Sequence, residues 1–512
     1  MTLLDHVVVL LIAIPILVAA SMVIIRPYPN IQKWLNLTVS IVLFILSAYL
    51  FMQVWNHGII VYDLGNWGKY GIILVADLLS SGMVALSSVI TFLALLFSID
   101  YIEKKSLNST YHSLFNLLVA GLNGTFLTGD LFNLFVFFEI LLIASCGLLI
   151  ANEKLEITPS SHKMEAVYKY LVLNIAATLF MLIAIASLYA TVGTLNMADM
   201  AAKIALMNEE GTLPWHLIPT ALLFMVVFGN KAAIFPLHFW LPDAHPTAPS
   251  PVSAILSGIL IKVGAYGFIR FYYLIFEGNL SIFQPIIIFL GLATIIVGSV
   301  SAVGQDDIKK VLAYHSIGQI GYVFIGIGMG TVYALAASIV YLMNHAISKS
   351  MLFLVSGCIV HKIGTRDMRK IGGLSSSEPF LGLMFLIGIM SIAGLPPTSG
   401  FIAKFVLFDA GIEGKFYIPI LIAVIFSLFT LFSMFKSWQR IFWGEIKDNT
   451  FDDDTHTHEN SHMMLLSLVI MAIMILAIGL YAEPILAITI ETANQILDPQ
   501  AYIDAVLEVE VR

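Results

Sequence analysis

The chain has 512 residues, of which 59% are hydrophobic and only 11% are charged, and its formal net charge is −8 at pH 7. Soluble domains carry about 25% charged residues, so this composition excludes a soluble enzyme and indicates a protein that crosses a membrane many times. Acidic residues are concentrated from Glu445 onward, a distribution that argues against nucleic-acid binding.

Apolar runs of about 20 residues, each long enough to cross a bilayer, recur along the chain. They predict an all-α polytopic membrane protein with about fourteen transmembrane helices. The first run, Leu3 to Ile25, has no basic start and no small-residue cleavage site, so we expect it to remain as a helix and not to be removed as a signal peptide. The predicted helices span 3–25, 34–55, 75–98, 112–127, 130–151, 166–191, 214–240, 250–275, 280–302, 308–329, 331–360, 380–408, 416–442 and 463–488.

Between the second and third helices, apolar and polar residues alternate on both sides of Gly65 and Asn66. Alternation with a period of two around such a turn pair predicts a small β-hairpin at one membrane surface. The two cysteines, Cys146 and Cys358, both lie within apolar runs. We interpret them as small buried hydrophobic residues, with no disulfide or metal site.

The distribution of Lys and Arg predicts which loops face the cytoplasm, because basic loops stay on that side. Of the twenty-five basic residues, sixteen lie in loops that follow odd-numbered helices, five lie on the other side, and four fall inside predicted helices. This asymmetry predicts that both termini lie outside the cytoplasm. The five on the other side are Lys69, Lys203, Arg270, Lys415 and Arg512.

The four lysines inside predicted helices are the main functional signal: Lys231, Lys262, Lys349 and Lys404. Against them stands one acid that we expect to be well buried, Glu139, near the centre of the fifth helix. An ionisable group at the centre of a membrane helix costs about 2.5–3.5 kcal/mol on insertion scales, so such groups mark a hydrated interior. An excess of buried lysines over acids predicts that protons are shared along a relay.

Prolines interrupt two of the predicted helices near these lysines. The seventh helix contains FPLHFWLP after Lys231, and the twelfth contains AGLPPTSGF before Lys404. Broken helices are tolerated only where the freed backbone groups face protein or water. Their comparable positions predict two inverted five-helix repeats, helices 4–8 and 9–13. The predicted organisation is helices 1–3 with the hairpin in 1–111, the first repeat in 112–276, the second repeat in 277–443, and the acidic loop, helix 14 and tail in 444–512.

Several buried polar groups could join the lysines in a relay. Glu139 and Lys231 would make a natural pair, either as proton carriers or as a static ion pair between two helices. His345 and Lys349 are four residues apart, so they share a helix face and could exchange a proton through one water molecule. His315 is either a further relay group or a hydrogen-bonded polar residue of the core.

Other polar residues carry weaker signals. Three histidines of the acidic loop could bind a metal, although their irregular spacing favours a solvated surface: His456, His458 and His462. Three residues flank the break in the seventh helix and either line an aqueous entrance or cap the interrupted helix: His238, Asp243 and His245. The chain has no Walker-type loop, no dinucleotide fingerprint and no iron–sulfur cysteine set, so we expect no cofactor.

Five motifs together resemble the antiporter-like proton-translocating family that is shared by respiratory complex I and the multi-subunit Mrp-type cation/proton antiporters. These motifs are FFEILL around Glu139, the long stretch GNKAAIFPLHFWLPDAHPTAPSPVSAILSGILIKVGAYG, IKKVLAYHSIGQIGY, NHAISKSMLFL and AGLPPTSGFIAKF. Within the family, the terminal Lys404 resembles the D branch of the Mrp antiporters and some complex I antiporter-like subunits, and ATVGTLNMADMA and KSWQRIFWGE look most like the D branch.

The resemblance implies a fourteen-helix fold with two inverted repeats and with helices 7 and 12 broken. It also implies a row of charged groups at the membrane midplane, which runs from Glu139 and Lys231 through Lys262 and the polar groups of helices ten and eleven to Lys404. One departure from the family pattern is visible. Many relatives have histidine in helix ten where this chain has Gln319, and His315 lies one turn earlier.

We therefore predict a proton-translocating subunit of a hetero-oligomeric antiporter in the bacterial cytoplasmic membrane, which moves protons inward and expels Na⁺ or another monovalent cation. Its partners would be the other antiporter subunits and the lipid bilayer, and it would be a transporter subunit, not an enzyme. One alternative is the proton-pumping module of a complex I-type redox enzyme, in which case the chain would be a translocase subunit. A second alternative is a passive scaffold whose buried charges only hold helices together.

Overall fold

A computed structural model describes residues 3–68, 71–102, 110–150, 160–444 and 460–508. These residues are almost entirely helical, and eleven helices among them are long and apolar enough to cross a membrane. The predicted all-α membrane fold is therefore confirmed. In chain order the elements are α1 (Leu3–Ile24), α2 (Pro29–His57), β1 (Ile60–Leu64), β2 (Ile72–Ala76), α3 (Leu78–Tyr101), α4 (Tyr111–Leu127), α5 (Leu131–Ile150), α6 (Ser160–Val192), α7 (Met197–Glu209), α8 (Leu217–Ala232), α9 (Leu241–Thr247), α10 (Ser250–Ile255), a π-helical turn (Leu256–Leu260), α11 (Ile261–Leu274), a 3₁₀ turn (Glu277–Asn279), α12 (Leu280–Val303), α13 (Ile308–Met329), α14 (Val332–Ile363), α15 (Leu374–Ser377), α16 (Pro379–Ala393), α17 (Ser399–Glu413), α18 (Tyr417–Phe442), α19 (His462–Leu480), α20 (Ala482–Ile496) and α21 (Pro499–Leu507).

The centre of the bundle is formed by α10, α11, α13 and α14. The apolar stretch of Ser250–Leu274 is 100% buried, and those of α13 and α14 are 94% and 83% buried, whereas that of α18 is only 28% buried. Helices buried on all sides contact protein in every direction, while partly buried helices present an apolar face to lipid. Polar groups on the central helices are therefore shielded from the bilayer by the surrounding helices.

Both proline interruptions divide the helices that carry them. Helix α8 ends at Ala232, where Ala233 takes the left-handed conformation with φ +54°, and the next helix, α9, begins only at Leu241. Helix α16 likewise ends before Gly394, which has φ +83°, and α17 begins at Ser399. These positions agree with the breaks predicted in helices seven and twelve. They leave two short apolar helices, α8 and α16, in place of full-length spans.

A buried polar contact attaches α1 to α4. Pro15 lies inside α1 and has no N–H group to donate to the carbonyl of Leu11, one turn earlier. The side chain of Asn123, which is fully buried on α4, donates to that carbonyl at 2.8 Å. One turn from the end of α1, Ser113 donates to the carbonyl of Ala19 at 2.7 Å. Asn123 therefore satisfies the carbonyl that Pro15 leaves open, and Ser113 adds a second hydrogen bond between the two helices.

Two antiparallel strands, β1 and β2, lie where the sequence predicts a hairpin, and they pair Ile60 with Ala76 and Leu64 with Ile72. The second strand leads directly into α3. Asp77 caps this helix by accepting a hydrogen bond from the backbone N–H of Ser80 at 2.8 Å. The hairpin therefore closes the connection between α2 and α3 and sets where α3 begins.

The predicted fourteenth helix, 463–488, is wrong in its extent. It ends at Leu480, and after Tyr481 the chain forms a separate helix, α20, and then α21. The apolar run of His462–Leu480 is followed by Glu483 and Pro484, and a proline is favoured in the first turn of a new helix, so the sequence does mark this boundary. Helix α20 packs against α14 and α3, and α21 packs against α7 and β1.

Arg270 is not a loop residue, contrary to the topology prediction, but a buried residue near the end of α11. Its guanidinium forms an ion pair with Asp77 at 2.5 Å, and the two side chains are only 9% and 5% exposed. The rings of Tyr266 and Tyr502 lie 5.4 and 4.9 Å from the guanidinium. A helix-end arginine can be buried here because a carboxylate and two aromatic faces surround its charge.

Candidate functional site

Four lysines lie in the interior of the bundle, each on a different helix. Burial of a lysine side chain to this degree is rare unless its ammonium has a polar partner. None of the four reaches a membrane surface. Their exposed fractions are 2% for Lys231 on α8, 0% for Lys262 on α11, 0% for Lys349 on α14 and 4% for Lys404 on α17.

Three of these lysines donate hydrogen bonds to neutral carbonyl or hydroxyl oxygens, and none of the three pairs with a carboxylate among the described residues. In each case the Nζ atom donates to a backbone carbonyl of a neighbouring turn or helix, which supplies a partial negative charge without a counter-ion. Lys404 also approaches the ring of Tyr322, at 5.2 Å. The acceptors are the Ser257 carbonyl at 2.5 Å for Lys262, the Leu312 carbonyl at 2.9 Å for Lys349, and the Ala393 carbonyl at 2.9 Å and the Ser427 Oγ at 2.7 Å for Lys404.

The π-helical turn Leu256–Leu260 positions Lys262. The backbone carbonyl of Ser257, a residue of this turn, accepts the hydrogen bond from Lys262. The Oγ atom of Ser257 lies 2.7 Å from the Oγ atom of Ser316 on α13. Gly258 packs so closely on α14 that a Cβ atom there would lie 2.2 Å from the Oγ of Ser350. π turns within α-helices are often found at functional sites. Sequence patterning does not predict this one.

His345 and Lys349 lie one turn apart on α14, as predicted, and face α11. His345 is fully buried, and neither ring nitrogen has a hydrogen-bond partner among the described residues. Lys262 and Lys349 both lie close enough to act electrostatically on His345, and Lys349 acts on Lys262. Three protonatable groups from two helices therefore form one cluster at the centre of the bundle.

His315 lies between this central cluster and Lys404. Its Nε2 atom is 2.7 Å from the Oγ of Ser433 on α18, and it is fully buried. Lys349 and Lys404 both act on it electrostatically. Gln319, the residue that departs from the family pattern, accepts a hydrogen bond from the hydroxyl of Tyr341 at 2.5 Å. Where many relatives have histidine, this chain therefore has the neutral, hydrogen-bonded amide of Gln319. His315 provides the titratable imidazole of α13 one turn earlier.

Glu139 and Lys231 do not form the close ion pair that the sequence predicts. Within the part of the chain that the structure describes, no carboxylate lies within 4 Å of the Lys231 ammonium, which instead sits 5.2 Å from the ring of Phe138. Glu139 still acts on Lys231 electrostatically. Its side chain is only partly buried, although its Oε1 atom is inaccessible and has no hydrogen-bond partner. The aromatic ring occupies the position beside the ammonium that a carboxylate would take.

The close packing of α8 on α11 brings Lys231 near the central cluster. A Cβ atom at Gly264 would lie 2.4 Å from the backbone N of Ala232 and from the carbonyl O of Phe228. The two backbones therefore touch one residue after Lys231 and two residues after Lys262. Among the described residues, Glu139 acts electrostatically on Lys231 and Lys349 acts on Lys262, so the row consists of a Glu139–Lys231 part and a part from Lys262 to Lys404.

His245 and Lys309 are two buried titratable residues that the sequence does not place in the relay. His245 is fully buried, both of its ring nitrogens lack partners in the described chain, and Lys349, Lys262 and Lys309 act on it electrostatically. Lys309, which the topology prediction places in a loop, is fully buried and donates to the Ala248 carbonyl at 2.9 Å. The adjacent acids Asp306 and Asp307 make this segment resemble an ordinary polar loop.

The remaining candidates do not join the row. Asp243 pairs with Lys169 at 3.0 Å near the surface, and His238 is buried with its Nδ1 atom unpartnered. His462 begins α19, while His456 and His458 lie outside the described residues. Among the described residues there is no group of three or more His, Cys, Asp or Glu side chains that could hold a metal ion.

The family described as "NADH:quinone oxidoreductase/Mrp antiporter, TM" matches residues 128–430, which include every lysine and histidine of the row. The chain belongs to this family. Among curated members, the D-type subunit of the Na⁺/H⁺ antiporter of Alkalihalophilus pseudofirmus is 37% identical over 98% of this chain and 100% of its own length. The D-type subunit of the Na⁺/H⁺ antiporter of Bacillus subtilis is 34% identical, with the same coverage of both chains.

Two solved structures of family members are similar over almost the whole chain. A chain of the Mrp complex from Dietzia sp. DQ12-45-1b superposes with a TM-score of 0.90 at 28% identity, and the match covers 99% of this chain and 100% of that one. A chain of the membrane-bound sulfane sulfur reductase, an archaeal respiratory membrane complex, gives a TM-score of 0.88 at 26% identity, over 98% and 100% of the two chains.

Proposed function

We propose that this chain is a proton-translocating subunit of a multi-subunit Na⁺/H⁺ antiporter in the bacterial cytoplasmic membrane. Its similarity over nearly the full length to two proteins named as D-type subunits of Na⁺/H⁺ antiporters supports this function. The similarity to a chain of an Mrp complex supports a hetero-oligomer, so other antiporter subunits are its partners. Protons and Na⁺ are the transported ions.

The observation that carries the proposal is the arrangement of Lys262, His345, Lys349, His315 and Lys404. All five residues are on the central helices or on helices of the second half, and each is at most 4% exposed. Successive members of the set act electrostatically on one another. A structural cation would gain most from a carboxylate partner. These lysines instead bind carbonyl and hydroxyl oxygens, which leaves the positive charges to repel one another.

A proton would pass along Glu139, Lys231, Lys262, His345 with Lys349, His315 and Lys404. Charging one group disfavours the charged form of its neighbour, because like charges in a buried site repel strongly. Arrival of a proton at one end of the row therefore favours release further along it. At the Glu139 end of the row, a nearby carboxylate favours the charged form of a lysine, so movement of Glu139 away from Lys231 would release the proton.

The test is Na⁺-dependent proton movement in everted vesicles from a host that lacks its own Na⁺/H⁺ antiporters and expresses the complete complex. Proton movement is followed by the fluorescence of a pH-sensitive dye after Na⁺ addition. Lys262→Ala and Lys349→Ala should abolish the signal while the complex still assembles in the membrane. Lys203→Ala is the matched control, because this lysine pairs with Asp199 at a 40% exposed position and should leave transport intact.

Full transport by Lys262→Ala and Lys349→Ala would reject the relay and favour the scaffold role. A redox-coupled function is the second candidate, since a chain of a respiratory reductase is also similar over the whole length. Purification of the native complex distinguishes the two. Iron–sulfur or flavin subunits in that complex, together with proton movement that depends on an electron donor and not on Na⁺, would select the redox function.

A further inference from the structure

A groove of about 1140 Å³ runs along the outer side of α18, on the half of the molecule that carries Lys404. One wall is α18 from Leu428 to Arg440 together with Trp443 and Gly444, which follow the helix. The opposite side is formed by Ile371 and Gly372, which follow α14, and by Leu395, in the break between α16 and α17. No part of the proposed relay opens into this groove, so it requires a separate explanation.

The groove is apolar at one end and basic at the other. Leu428 and Phe432 are 63% and 60% exposed at the apolar end, while Lys436 and Arg440 lie at the basic end. Along the helix axis, at 1.5 Å per residue, Leu428 lies about 12 Å from Lys436 and about 18 Å from Arg440. These two lengths bracket the thickness of one leaflet, which is half of the roughly 30 Å hydrocarbon core. An amphiphile one leaflet long would match both ends.

The basic end carries a positive charge, on Lys436, that no acidic side chain of the described residues neutralises. Lys436 donates to the carbonyl of Val303 at 2.9 Å, and no acidic side chain pairs with it in the described part of the chain. Its neighbour Arg440 is paired with Asp306 at 2.6 Å. Basic sites at the ends of membrane helices on the cytoplasmic side bind anionic lipid head groups. The distribution of Lys and Arg assigns this end of α18 to that side.

Aromatic residues define the depth of the basic end. Trp443 is 48% exposed and contacts Trp438 and Phe435, with ring centroids 4.7 and 5.9 Å apart. Tryptophan is enriched at the level of the lipid head groups, because its ring is apolar and its N–H is polar. Lys436, Arg440 and Trp443 therefore lie at the depth where a phosphate would be.

We propose that this groove binds an anionic phospholipid of the cytoplasmic leaflet, with its phosphate at Lys436 and an acyl chain against Leu428 and Leu395. The apolar end lies beside the Lys404 site. Leu428 follows Ser427, and Leu395 is two residues from Ala393, and these two neighbours hold the Lys404 ammonium.

The test uses the purified, delipidated complex and native mass spectrometry. Phosphatidylglycerol and phosphatidylcholine with the same acyl chains are titrated separately. Lys436→Gln should lower the retention of phosphatidylglycerol about fivefold, in line with the contribution of one basic residue near a membrane surface, and leave phosphatidylcholine unchanged. The matched control is Lys169→Gln, a charge removed at a 46% exposed position on α6.

Equal retention of the two lipids by the unmodified complex would overturn the proposal, as would an equal loss in Lys436→Gln and Lys169→Gln. A third result would also overturn it. If Phe432→Cys forms a cross-link to another subunit in the assembled complex, the groove is a protein interface. Lipid retention is measured without any transport assay, so this test is independent of the proposed antiport function.

Discussion

The buried ion pair of Arg270 and Asp77 gives a prediction whose magnitude follows from the structure. Arg270→Ala leaves the Asp77 carboxylate 5% exposed with no cation beside it. Removing one partner of a buried pair costs about 3–5 kcal/mol, because the remaining charge is desolvated without compensation. The substitution also removes the contact of the guanidinium with the ring of Tyr266 on α11 and its contact with the ring of Tyr502 on α21. We expect a loss of stability at the upper end of that range.

The assay is a double-mutant cycle on the purified complex, with the midpoint of thermal denaturation read by size-exclusion chromatography. Arg270→Ala and Asp77→Ala should each lower the midpoint strongly, whereas the double variant should be little worse than either single one, because contacting residues are coupled. The exposed pair of Lys169 and Glu165, with side chains 46% and 57% exposed, is the control, and Glu165→Ala should cost less than about 1 kcal/mol. If the double variant shows the sum of the two single losses, the pair is not coupled and the reasoning is wrong.

Two further predictions concern backbone packing. Gly400→Ala should prevent assembly, because its Cβ atom would lie 1.6 Å from the carbonyl O of Ser391, whereas Gly304→Ala, with no atom nearer than 3.9 Å, should assemble normally in native gels of membranes. Normal assembly of Gly400→Ala would mean that α16 and α17 do not touch there. Asn123→Leu should destabilise the complex by about 1–3 kcal/mol, since it leaves the Leu11 carbonyl without a donor. An unchanged denaturation midpoint would contradict that role of Asn123.

The helical membrane fold and both helix breaks could be predicted from the sequence because their signals are local. Apolar runs of sufficient length predict spans, and the prolines of FPLHFWLP and AGLPPTSGF cannot continue a helix. The four lysines inside helices could also be predicted as functional from the sequence, because a charged residue within a membrane-spanning apolar run is costly. The inverted-repeat relationship between the two halves stays a prediction.

The remaining features depend on contacts between distant segments. The burial of Arg270 depends on Asp77 and on Tyr502, 232 positions later in the chain, so its place near a helix end misled the topology count. The position of Phe138 beside Lys231 could not be read from spacing, and it displaces the expected contact with Glu139. The π turn before Lys262 is packed against Ser316 and Ser350, residues of two other helices, and has no signature within its own five residues.

The oxygen partners of Lys262, Lys349 and Lys404 have a consequence for how these sites can change state. A carboxylate partner would be left as an uncompensated anion if its lysine gave up a proton. A carbonyl accepts a hydrogen bond from an ammonium and also, more weakly, from a neutral amine, which still has two hydrogens to donate. Each of the three sites can therefore lose its charge without stranding its neighbour and without moving a helix.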